Sequence, residues 1–153
     1  MSRVIVLDSS PLSLLASPVR TPEVQRINRW AEQEMLAGSR LLVPAIAAFE
    51  VRRELERLQK IRSLAHLDQF EQAEPGRYLP LTDAALRLAA TLWAQARNRG
   101  TPTADPKELD CDVLIAAQAL TLGVPLSDLI IATSNVGHLS QFAPAAVWHT
   151  LAP

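Results

Sequence analysis

Short unbroken apolar runs recur along the chain, each halted by a polar or turn-forming residue and separated from the next by a longer helical pattern. This alternation constrains the fold more than any other feature of the sequence. Arg3 to Leu7 carries Val-Ile-Val-Leu and stops at Asp8-Ser9-Ser10-Pro11; Leu41-Leu42-Val43 and Leu129 to Ala132 repeat the device. A strand with one wet face alternates apolar and polar residues, so runs without alternation suit strands buried on both faces of a parallel sheet. Arg77 to Leu81 reads as an edge strand because Pro80 cannot donate to a ladder on both sides, and Ala146-Val147-Trp148 is a last strand candidate. Thr21-Pro22-Glu23 combines an N-cap, a Pro at the first helical position and an acid in the first turn, opening a helix that Gly38 closes. Pro44 starts a second helix through Ile46, Phe49, Arg53 and Leu58, and a helical stretch continues to about Gln72 with Leu64, Leu67 and Phe70 spaced by three. Thr82 caps a helix with Leu86, Ala89, Ala90, Trp93 and Ala96 on one face, Gly100 to Lys107 reads as a loop, and a very apolar helix runs from Asp110 to Leu122 before Gly123. Asn135 caps a short helix near the end. Strands alternating with helices imply an α/β fold with a parallel sheet sandwiched by helices, and in such sheets ligands bind at the carboxyl ends of the strands.

With 153 residues the chain fits a single domain over 1–153, since domains run to roughly 100–200 residues. Ala and Leu occupy 47 positions and aromatics only 5%, the balance of a helix-rich globular protein. The net charge of −1 gives no bulk attraction for a polyanion or an anionic membrane. No apolar stretch approaches the roughly 20 residues of a membrane helix, and Val4 to Leu7 is too short for a signal-peptide core, so a cytoplasmic protein without a membrane partner is expected. A single cysteine, Cys111, excludes an internal disulfide, and the three histidines at 66, 138 and 149 have no zinc-ligand spacing.

The chemistry then rests on acids. Asp8 directly follows the first apolar strand, where a rigid strand end meets an open sheet edge; an Asx turn or helix cap would explain it equally. Glu50 lies in Ala45-Ile46-Ala47-Ala48-Phe49-Glu50-Val51, a turn and a half into a helix whose preceding positions are apolar; opening a polar face and pairing with Arg53 is the plainer alternative. Asp112 opens Asp112-Val113-Leu114-Ile115-Ala116-Ala117-Gln118-Ala119, where the helix dipole alone could account for an acid. Asp110 would point about 200° away from Asp112 if both were helical, so it joins the same site only if it precedes the helix. Together the three acids follow a pattern that no single explanation covers: strand end, apolar helix, start of an apolar helix. Clusters of carboxylates suit hard ions such as Mg²⁺ or Mn²⁺, which activate water and stabilise phosphoryl transfer.

With these residues the sequence resembles the PIN-domain ribonucleases, in particular the VapC-like toxins of toxin–antitoxin pairs. The resemblance rests on Val4 to Leu12, Val43-Pro44 through Phe49-Glu50-Val51, Asp112 to Leu120 with Gly123, and Ile131-Ala132-Thr133-Ser134-Asn135, with gaps of 42 and 62 residues between the acids. It implies a PIN-like three-layer α/β/α sandwich on a central parallel sheet, homodimers, and Mg²⁺- or Mn²⁺-dependent cleavage of RNA, with an antitoxin protein as partner. Asp8, Glu50 and Asp112 match the family's metal-binding acids, with Asp110 as an additional candidate. Ser9, Thr133 and Asn135 would support them; Thr133 matches the small hydroxyl residue after the fourth strand. Many relatives have an acid at the position of Asn135 or of His138, and this chain has neither. Asn135 could hold a metal-bound water through its amide, and His138 could touch a phosphate or leaving group, against the plainer reading of a solvent-facing residue. The rival reading is a catalytically degenerate PIN-fold binding or assembly module. A phosphatase with an Asp nucleophile is disfavoured because Ser10, not an acid, stands two residues after Asp8. Arginine supplies 13 of the 15 basic residues and suits phosphate recognition, although Arg52, Arg53 and Arg57 interleaved with Glu54 and Glu56 read first as a solvated helix face.

Overall fold

The computed structural model describes residues 2–100 and 106–153, with side chains from 109 onward in the second span. Five strands, β1 (Val4–Leu7), β2 (Arg40–Pro44), β3 (Tyr78–Leu79), β4 (Leu129–Thr133) and β5 (Ala145–Val147), form one sheet in the order β3-β2-β1-β4-β5, with every pairing parallel. The helices are α1 (Ser9–Leu15), α2 (Pro22–Leu36), α3 (Ala45–Arg57), α4 (Ile61–Gln72), α5 (Asp83–Asn98), α6 (Pro106–Leu120) and α7 (Val136–Leu139), making the three-layer α/β/α sandwich expected. Ile5, Val6 and Leu7 are fully buried, and so are Ile131 and Ala132 beside them, which is why neither run alternates.

The strand order places the site. From β1 the chain moves outward to β2 and β3, then crosses back to β4 and β5 on the other side. Two neighbouring strands whose connections leave in opposite directions open a crevice at their carboxyl ends. Here that crevice lies between Leu7-Asp8 and Ala132-Thr133, and the Asp8 N–H closes it from below by donating to the Ala132 carbonyl at 2.9 Å.

Asp8 caps α1, one of the two alternatives its position allowed, and Leu12 and Leu15 of that helix are buried. Three expectations need correction. The stretch from Pro44 to Gln72 is two helices: Gln59 takes φ 53°, a left-handed turn, and the chain re-enters a helix at Ile61. On α5 the buried positions are Ala85, Ala89 and Ala96, while Leu86 and Ala90 face solvent. Residues 101–105 of the expected loop lie outside the described residues, and α6 already begins at Pro106, ending at Leu120.

One buried side chain braces the two helices that carry acids. Pro44, the residue before α3, has no side-chain hydrogen bond to offer that helix. Gln118 on α6 supplies it: its Oε1 accepts from the Ile46 N–H at 3.2 Å, and its Nε2 donates to the carbonyls of Leu79 and Pro80 at 3.0 and 3.3 Å. A buried amide thus satisfies an orphan helix N–H and the end of β3 together.

Candidate functional site

Asp8 is held at both oxygens. Its Oδ1 accepts from the Ser9 N–H at 2.7 Å, the first free donor of α1, and its Oδ2 accepts from the Thr133 hydroxyl at 2.7 Å. Thr133 is fully buried, and its Oγ1 also accepts from the Asn135 N–H at 3.1 Å. A relay therefore runs from the Asn135 amide through Thr133 to Asp8. A hydroxyl donates and accepts through one oxygen, so a single small side chain serves both neighbours. Asn135 spends its Oδ1 on the Gly137 N–H at 3.1 Å as the cap of α7, and its side-chain NH₂ has no hydrogen-bond partner among the described residues.

Glu50 comes from α3 and Asp112 from α6, and with Asp8, Ser9, Cys111, Asn135 and His138 they line one cavity of about 260 Å³. Glu50 is half-buried, and its Oε1 is buried without a hydrogen-bond partner among the described residues. Burial raises its pKa to about 7, the negative charges of Asp8 and Asp112 add to the rise, and Arg53 and the Cys111 thiol oppose it. Cys111 answers in kind: burial and the neighbouring Glu50 push its thiol up to about 11, so it stays protonated and weakly reactive at neutral pH. The cavity is thus an electronegative pocket in which one carboxyl carries the strain of two others.

The structure brings Asp8, Ser9, Glu50, Asp112, Asn135 and His138 to one cleft, with Thr133 behind it. Asp110 is not among them. It sits inside α6 and is exposed, so the helical turn carries it away from Asp112 and the condition for its joining the site is not met. Cys111 is the cleft residue that sequence reasoning passed over. Its position one residue before Asp112, at the start of an apolar helix, was the available signal. Among the described residues no three His, Cys, Asp or Glu side chains form a set that could hold a metal ion as they stand. Also among the described residues, no helix is long and apolar enough to cross a membrane.

No curated protein matches the chain. Among solved structures, FitAcB from Neisseria gonorrhoeae superposes with a TM-score of 0.67 at 22% identity, covering 96% of this chain and 99% of that one. VapBC2 from Rickettsia felis, bound to a DNA fragment from its promoter, gives 0.65 at 13% identity over 95% and 98% of the two chains. VapBC-1 from nontypeable Haemophilus influenzae gives 0.56 at 14% identity over 95% and 98%. Likeness at these identities is one of fold. The sequence itself carries the stronger link, because the PIN domain family model matches residues 5–135, a span that opens inside β1 and includes Asp8, Glu50, Asp112 and Thr133. Sheet order, cleft and sequence match agree, and the chain belongs to the PIN domain family.

Proposed function

We propose that this protein is a Mg²⁺- or Mn²⁺-dependent endoribonuclease that cleaves RNA phosphodiester bonds, and that it is the toxin of a type II toxin–antitoxin pair, working as a cytoplasmic homodimer restrained by an antitoxin protein. PIN domains are generally nucleases, and solved structures of similar fold include the FitAcB and VapBC assemblies. The observation that carries the reading is Glu50, with a buried partnerless oxygen and a pKa raised to about 7 beside two further carboxylates. Three carboxylates gathered in this way would be neutralised by a cation, and an all-oxygen donor set with no imidazole pair suits a hard divalent one.

Asp8, Glu50 and Asp112 would hold that ion, after side-chain rotation closes the set. When bound, it would supply activation of a water molecule and charge stabilisation for in-line displacement at phosphorus. The chain's own residues do the rest. The Ser9 N–H and the Thr133 hydroxyl fix Asp8 in one orientation, Asn135 offers a free NH₂ to the cleft, and half-buried His138 stands where it can touch a phosphate or the leaving oxygen.

Purified protein with Mn²⁺ should cut single-stranded RNA, and Asp8→Asn should abolish cleavage with an unchanged circular dichroism spectrum. Intact RNA across varied substrates, or equal cutting by the Asp8 variant, would refute the mechanism. A second reading, a binding or assembly module without turnover, is favoured by one observation: positions 135 and 138 hold no acid, and Asn135 is engaged as a helix cap. Calorimetry separates the two, since the nuclease should bind Mn²⁺ and the module should give no heat.

A further inference from the structure

The cleft continues beyond the acids. Ser9 and Glu50, which wall the acid cavity, also wall a second cavity of about 320 Å³ between α1 and α3. On the α1 side Ser10 and Ser13 join Ser9; residues three and four apart share a helix face, so hydroxyls line this wall. On the α3 side stand Arg53 and Glu54.

The arginines of α3 are not equivalent. Arg52 is held by Asp68 at 2.6 Å and Glu71 at 3.6 Å, and Arg57 by Glu54. Arg53 makes no ion pair among the described residues; its guanidinium lies over the Phe49 ring, 5.3 Å from the centroid. Phe49 is 55% exposed and immediately precedes Glu50, while Phe70 and Phe142 pack against the core. An exposed ring and a guanidinium without an ion pair among the described residues therefore stand together beside the candidate site, the ring one residue and the arginine three residues from Glu50. Glu50 and Glu54 on the same wall disfavour a phosphate there and suit a base edge or a sugar hydroxyl instead.

We propose that Arg53, which lines the cavity and is backed by the exposed Phe49 ring outside that lining, forms with the Ser10 and Ser13 hydroxyls a subsite for the nucleoside flanking the cleaved phosphate of a single-stranded RNA. The base stacks on the guanidinium, which the Phe49 ring supports from behind and extends at the rim, and the serines bond the sugar. The inference rests on the nuclease reading above. Every base has a π-face, so stacking gives affinity with little sequence preference. The 2′-OH both donates and accepts, as serine hydroxyls do, which gives the subsite a means of preferring RNA over DNA.

The test is fluorescence anisotropy with a short labelled single-stranded RNA and the DNA of the same sequence, alongside KM and kcat for RNA cleavage with Mn²⁺. Phe49→Ala should weaken RNA binding and raise KM about ten- to hundred-fold with kcat little changed, the cost of one lost stacking contact. Phe49→Trp should restore binding and Phe49→Leu should not, and Ser10→Ala with Ser13→Ala should shrink the preference for RNA over DNA. Unchanged RNA affinity in Phe49→Ala, or rescue by Leu equal to rescue by Trp, overturns the subsite. So does a halved mass of Phe49→Ala in light scattering, which would mean that a second copy of the chain covers this face. The two readings fail separately: a protein that binds RNA through Phe49 without cutting it loses the nuclease, and one that cuts RNA with the same KM in Phe49→Ala loses the subsite.

Discussion

Glu50 is the residue at which folding and chemistry conflict. Its pKa is raised from 4.5 to about 7, so between those values the folded protein holds a proton that the unfolded chain has released. Stability from this group is therefore highest below pH 4.5, falls as pH rises through that window, and stays reduced above pH 7. Glu50→Gln should raise the melting temperature of the metal-free protein at pH 8 and change it little at pH 4.5; an equal shift at both values would contradict the burial and repulsion seen here. Thr133 makes the complementary case. Thr133→Val keeps the volume but strips Asp8 Oδ2 and the Asn135 N–H of their partner, which should cost about 1–3 kcal/mol in denaturant melts and lower RNA cleavage. Position 133 is marked in the sequence by its place at the carboxyl end of a strand and by the family resemblance, but its partner is not, because the carboxylate that accepts its proton lies 125 residues away.

At the scale of elements, most of the helices and strands were readable because their signals are local. Thr21 and Thr82 cap α2 and α5 through hydrogen bonds to Val24 N–H and Ala85 N–H, and Asn135 caps α7. The break between α3 and α4 was not readable, since Leu58-Gln59-Lys60 holds neither glycine nor proline and the left-handed turn is forced on Gln59. Gln59→Gly should therefore raise stability by roughly 0.5–1 kcal/mol, the relief of a side chain in that region less the added chain entropy. A urea titration checks it, and a lower midpoint would show that Gln59 is not strained. Nor could spacing reveal that Gln118 caps a helix 72 residues earlier. Gln118→Leu leaves the Ile46 N–H without its acceptor and should cost about 1–3 kcal/mol. It should also depress cleavage, because Glu50 and Asp112 are then no longer braced against each other.

Across the whole molecule one ion pair laces the start of β1 to the end of α2 and to the C-terminus. Arg3 donates to the fully buried Glu34 at 2.6 Å and to the Ala152 carbonyl at 2.7 Å. Arg3→Met should destabilise by about 3 kcal/mol or more, because it abandons a buried carboxylate, whereas adding Glu34→Leu should recover most of that loss. If the single variant melts like the wild type, the pair is not structural. The sequence by itself determined the parallel sheet and the burial of β1 and β4, because apolar runs, caps and strand ends are short-range patterns printed in consecutive residues. Only the tertiary structure decided which side chains share the cleft. It excluded Asp110 by starting α6 at Pro106, put Cys111 against Glu50, and made Thr133 the donor to Asp8. It also sorted one arginine of α3 from its paired neighbours. Those outcomes depend on where helices begin and on which distant elements meet, and both follow from packing around a common sheet that no local spacing encodes.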